Sequence, residues 1–110
     1  MILNPGEKVH VIHRQFFEGD ARRHFVGQVE NCEGDLARVN GFIFAMDAKL
    51  NQFVRRDPRR TRLISLSCGT VIINLLPEKV QIEKIKYKYR PAGDVLVTDG
   101  TDWHLDITHL

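Results

Sequence analysis

The sequence predicts an all-β fold: a small, strongly bent antiparallel barrel of five strands, with an additional C-terminal β-hairpin. Three observations carry this expectation. Apolar, β-prone runs of four to six residues recur between polar breaks across residues 41–76, and runs that short fit buried strands better than helices. Glycines interrupt the alternating stretches at Gly27 and Gly41, where the central strands of a small barrel must bend sharply. No segment of the 110 residues offers a convincing long helix. The chain reads as one domain, with a barrel core and its N-terminal strand over residues 8–77 and a C-terminal β extension over residues 78–110.

The elements follow in chain order. Pro5-Gly6 is a turn pair that makes the first residues a short arm. Residues 8–17, KVHVIHRQFF, alternate at Val9 and Val11 as a strand buried largely on one face. Glu18-Gly19-Asp20 is a turn, and residues 22–31 alternate again, with Phe25, Gly27 and Val29 on one face. Residues 32–35 close a hairpin and residues 36–44 return. Runs at 42–46, 51–54, 63–66 and 71–76 follow, with the basic break at 55–62 read as a long loop. Pro77 suits the first position of one short helical turn. Ile85, Tyr87 and Tyr89 then alternate with Lys84, Lys86, Lys88 and Arg90, a strand with one aromatic and one cationic face. Residues 95–97 and 103–107 flank an Asp-Gly turn as the final hairpin.

Composition excludes several classes. No apolar run approaches the ~18 residues of a membrane-spanning helix. The first residues lack a basic stretch leading into an apolar one, so the expected location is cytoplasmic. Cys32 and Cys68 make neither a disulfide framework nor a Cys-x-x-Cys metal pair. His10 and His13, three apart on a strand, face opposite sides, while His104 and Asp106 share a face and leave His109 on the other. No metal or other cofactor is expected. No serine elbow, phosphate loop or Cys–His pairing has supporting context, so the expected role is non-enzymatic. Trp103 reads as a core or interface anchor. A net charge of +2 says nothing about nucleic acid by itself; local clustering does.

The spacing Gly41-x5-Asp47-x2-Leu50-Asn51 resembles the first motif of the Sm and Sm-like RNA-binding proteins, to which bacterial Hfq is related. LISLSCGTVIINLLP, from Leu63 to Pro77, resembles their second motif, with Cys68-Gly69 where the family has Arg-Gly. The resemblance covers residues 25–77, about half the chain, and is weakest in the first hairpin. It implies an Sm-like barrel, single-stranded RNA as partner, and assembly into a homo-oligomer, in the form of a ring where the contact closes. It makes Asn51 the base-contacting residue and puts Lys49 where relatives place a stacking side chain. Cysteine at position 68 departs from the pattern, supplying neither charge nor a guanidinium plane.

Residue chemistry supports a site while leaving alternatives open. Asp47 can accept backbone N–H groups in the turn that follows it. The Asn51 amide, donor and acceptor together, either reads the edge of an unstacked base or closes that turn. Arg55, Arg56, Arg59, Arg60 and Arg62 fall within eight residues beside a single Asp57; they either neutralise a polyanion, form a solvated tip, or pair with acids of a neighbouring subunit. The candidate RNA-binding set is therefore Asp47, Lys49, Asn51, these five arginines, Cys68 and Gly69. The Lys84, Lys86 and Lys88 face suits either a charged edge opposing aggregation or a second nucleic-acid face. Self-association is expected through edge strands at 63–67 and 70–76, unless the C-terminal hairpin covers that edge and holds a monomer or dimer. The rival function is a protein-interaction or structural module on the same barrel, adding a partner strand to its edge.

Overall fold

The computed structural model describes residues 2–14 and 22–108. The expected turn at Glu18-Gly19-Asp20, the end of the first strand near Phe17, and His109 lie outside them. Among the described residues eight strands form two sheets: β1 (Lys8–His13), β2 (Arg23–Glu33), β3 (Leu36–Asp47), β4 (Gln52–Ser65) and β5 (Val71–Leu76), then β6 (Lys86–Tyr89), β7 (Val95–Thr98) and β8 (His104–Asp106). The first sheet is antiparallel in the order β4-β3-β2-β1-β5, the second in the order β6-β7-β8.

Two glycines face each other in the first sheet, Gly27 opposite Gly41. A Cβ on Gly41 would lie 1.9 Å from the carbonyl oxygen of Val26, and one on Gly27 would lie 2.5 Å from that of Asn40. Only a residue without a side chain lets the two backbones approach this closely. On one face of the sheet, Val9, Val11, Phe25, Val29, Val39, Ile43 and Ile64 make one core, with Val71 and Ile73 packed against it. On the other face, Val26, Phe42 and Phe44 join Val80, Ile82, Ile85, Val97 and Ile107 in a second core beneath the C-terminal sheet.

Several expectations change here. The first sheet is not closed into a barrel: β4 and β5 are its two edges, and they meet at the first core through Ile64, Val71 and Ile73 without a backbone ladder between them. The basic break at 55–62 is not a loop. It belongs to β4, which pairs with β3 from Gln52 to Ser65 and joins the two expected runs at 51–54 and 63–66 into one strand. Solvent on one side of an edge strand tolerates the arginines and the proline that argued against a strand. The ladder shifts between Gly41↔Arg60 and Ile43↔Arg56, so Asp57, Pro58 and Arg59 stand opposite Phe42 alone.

β1 is buried on both faces, from Val9 to Ile12, because the second sheet covers the side expected to face water. The C-terminal extension is a three-stranded sheet, of which the expected hairpin supplies two strands, β7 and β8, and it pairs with neither β4 nor β5. The short helical turn lies at Ile82–Lys84, a few residues past the Pro77 position. Buried Asp99 fixes the approach to it, accepting from the Gln81 N–H at 3.0 Å and the Thr101 N–H at 3.1 Å. Among the described residues no helix is long and apolar enough to cross a membrane.

Candidate functional site

The arginines of β4 divide by neighbour. Arg55 and Arg59 lie over the Phe42 ring, their guanidinium carbons 4.7 and 5.3 Å from its centroid. Arg55 donates to the Glu83 carbonyl at 2.8 Å and pairs with Asp57 at 3.3 Å. Arg59 pairs with the Glu83 carboxylate at 3.3 Å and donates its Nε–H to the Asn40 side-chain oxygen. These two arginines hold β4 against the turn that leads into β6. Arg56 and Arg60 are exposed, and Arg62 is half-buried. Among the described residues none of these three has an acidic partner within ion-pair distance.

The β3–β4 turn is built by Asp47. Its Oδ1 accepts the N–H groups of Lys49 at 2.9 Å and Leu50 at 3.1 Å, and its carbonyl accepts that of Asn51 at 2.7 Å. Asn51 has φ +52°, a left-handed conformation that asparagine tolerates better than most residues. The turn chemistry expected of Asp47 is therefore present, and Lys49 stands exposed at its tip. Cys68 and Gly69 are exposed in the β4–β5 connection. The Cys68 Sγ lies 2.8 Å from the Thr70 hydroxyl, whose hydrogen bond draws the thiol below its ordinary range.

Asn51 lines a cleft of about 660 Å³ at this end of the sheet, together with His13, Arg14, Arg22, His24 and Phe53. The Thr70 carbonyl accepts the N–H of Arg14, one of the lining residues, at 2.6 Å. Cys68 and Gly69 do not line the cleft, nor do Lys49 and the five arginines of β4. Arg62 nevertheless lies close enough to His13 for its charge, with that of Arg23, to add to burial in lowering the His13 pKa.

Sequence reasoning missed a polar cluster between the two sheets. The Tyr87 hydroxyl lies 2.9 Å from His10 Nε2 and 2.5 Å from His24 Nδ1. With one proton to give, it donates to one imidazole and accepts from the other. The two imidazoles meet edge to face at 4.9 Å, and Phe53 stacks on His24 at 4.2 Å. Burial brings His10 down to about 4. Burial, then the charges of His10 and His13, brings His24 down to about 3. Burial, followed by Tyr89, pushes Tyr87 well above its ordinary value. The cluster is thus uncharged at neutral pH and joins β1, β2 and β6 by hydrogen bonds. The signal for it was the Tyr87/Tyr89 aromatic face, which needs an opposing surface, and the near-continuous apolar run around His10.

Among the described residues no group of three or more His, Cys, Asp or Glu side chains is placed to hold a metal ion. Comparison of the chain with family models, curated proteins and solved structures returned no match. The likeness to Sm-like proteins rests on the residues quoted for it.

Proposed function

We propose that the chain is an Sm-like single-stranded RNA-binding module that works as a homo-oligomer. The observation that carries the reading is the row of arginines along the outer edge strand β4, in which Arg56, Arg60 and Arg62 have no acidic partner among the described residues. Such a row matches the spaced charges of a phosphate backbone, and each phosphate it neutralises releases counterions. Asn51 and Lys49, in a turn fixed by Asp47 at the start of the same strand, supply an amide and a cation to an unstacked base. Both free edges also expose apolar side chains: Leu63 on β4 is 65% exposed and Leu75 on β5 is 55% exposed. Pairing β4 of one copy with β5 of the next covers them and satisfies the unpaired backbone groups of both edges.

Fluorescence anisotropy with a labelled oligouridylate tests the reading. Affinity falls as salt rises, with a slope of about −0.7 per neutralised phosphate. The Arg56→Gln/Arg60→Gln variant flattens that slope by roughly 1.4. Light scattering of the purified protein reports a species larger than the 12.7 kDa monomer. A monomer that ignores oligouridylate at low salt favours the second reading, a protein-interaction module that adds a partner strand at the edges bearing Leu63 and Leu75.

A further inference from the structure

We propose that the cleft lined by Arg14, Arg22, His13 and Asn51 is a binding site for a small organic anion, a carboxylate or phosphate monoester on an apolar body. The inference does not depend on the RNA reading: it shares Asn51 with that reading, and its arginines are not those of the β4 row. The cleft's volume of about 660 Å³ falls within the ~300–1,000 Å³ range of small-molecule sites. Its walls are apolar, from Ile12, Met46, Phe53, Ile72, Val95 and Ile107. Among the described residues that line it, Arg14 and Arg22 bring charge of one sign, and none is Asp or Glu.

Neither Arg14 nor Arg22 has a side-chain partner among the described residues. The guanidinium fork matches the planar oxygens of a carboxylate or phosphate, and two such groups at one cleft select for a negative head. His13 also lines the cleft. An uncharged apolar guest would fill the walls and leave both arginines without a counter-charge. A bare inorganic ion would engage the arginines and leave the walls empty. An amphipathic anion answers both.

The probes are 2-naphthoate and 2-naphthyl phosphate, with 2-naphthamide as the uncharged control, titrated into the full chain and followed by amide NMR shifts. Both anions are expected to move signals of residues 12–14, 22–24 and 51–53, and 2-naphthamide to bind at least about tenfold more weakly. Tighter binding of the phosphate marks a phosphate monoester as the natural head group, and the reverse order marks a carboxylate. The Arg14→Gln/Arg22→Gln variant should weaken both anions by about tenfold or more. Arg38→Gln, which removes one charge at exposed β3 residue Arg38, should leave them within about twofold. Equal binding of the amide, shifts centred elsewhere, or anion affinity unchanged in the double variant overturns the proposal. A folded double variant is recognised by its unchanged core methyl signals.

Discussion

Replacing Gly41 with alanine puts a methyl group into the tightest backbone crossing of the fold. The new Cβ would stand 1.9 Å from the Val26 carbonyl oxygen, 2.5 Å from the Gly27 Cα and 2.7 Å from the Val26 carbonyl carbon. All three are backbone atoms of the paired strand, so no side-chain rotation relieves the contact. Restoring even 3.0 Å moves the carbonyl by about 1.1 Å, against a ladder that runs the length of β2. Overpacking that side chains can absorb costs ~1–3 kcal/mol, and a clash borne wholly by backbone belongs at or above that limit, about 3 kcal/mol or more. Against a total of ~5–15 kcal/mol this is a large fraction. For a chain of this size it corresponds to a fall in Tm of roughly 10 °C or more. Gly69→Ala is the control: nothing lies within 4 Å of its Cβ and its φ is not in the left-handed region, so its effect should stay within about 0.5 kcal/mol. Thermal melts followed by circular dichroism compare the two. A Gly41→Ala protein that melts within about 2 °C of Gly69→Ala refutes the glycine-bend argument.

Three further outcomes follow from the same contacts. Tyr87→Phe keeps the ring contacts but strips His10 and His24 of their shared hydroxyl, and should cost about 2–3 kcal/mol in urea unfolding; a change below about 0.5 kcal/mol contradicts the cluster's role. Because both histidines titrate lower in the folded chain than at the ordinary 6.5, the folded state binds fewer protons. Stability is therefore complete above pH 6.5 and declines as pH falls toward about 4 for His10 and about 3 for His24. Imidazole NMR signals still neutral at pH 5.5 bear this out, and protonated ones contradict it. Asp47→Ala removes the acceptor of the Lys49 and Leu50 N–H groups and should lower stability by about 1 kcal/mol, with Asn51→Val adding strain at φ +52° and Asn51→Gly tolerated; an Asn51→Val melt equal to that of Asn51→Gly argues against the turn geometry.

Much of the strand inventory was legible because each strand announces itself locally. β5 occupies residues 71–76, as its apolar run predicts, and Tyr87 and Tyr89 are half-buried while Lys86 and Lys88 are exposed. Gly27 and Gly41, the glycines expected at a bend, stand opposite each other in the β2–β3 ladder. What could not be read is what depends on partners distant in sequence. Charge and proline made residues 55–62 look like a loop, and only their place on an edge, opposite β3, makes them a strand. Closure into a barrel depends on whether β4 and β5 share a ladder, which neither strand's own residues decide. His10 looked like a water-facing position because the sheet that covers it lies some 75 residues further along the chain. Of the candidate site, Asp47 and Asn51 share their turn as read, whereas Cys68 and Gly69 stay outside the cleft that Asn51 lines.

Backbone amide shifts on titration of labelled protein with oligouridylate at low salt test the RNA reading most directly. The account predicts saturable shifts concentrated in the Asp47–Asn51 turn and along β4 at Arg55, Arg56, Arg59, Arg60 and Arg62. An unmoved spectrum, or shifts confined to the Lys84, Lys86 and Lys88 face, would contradict it.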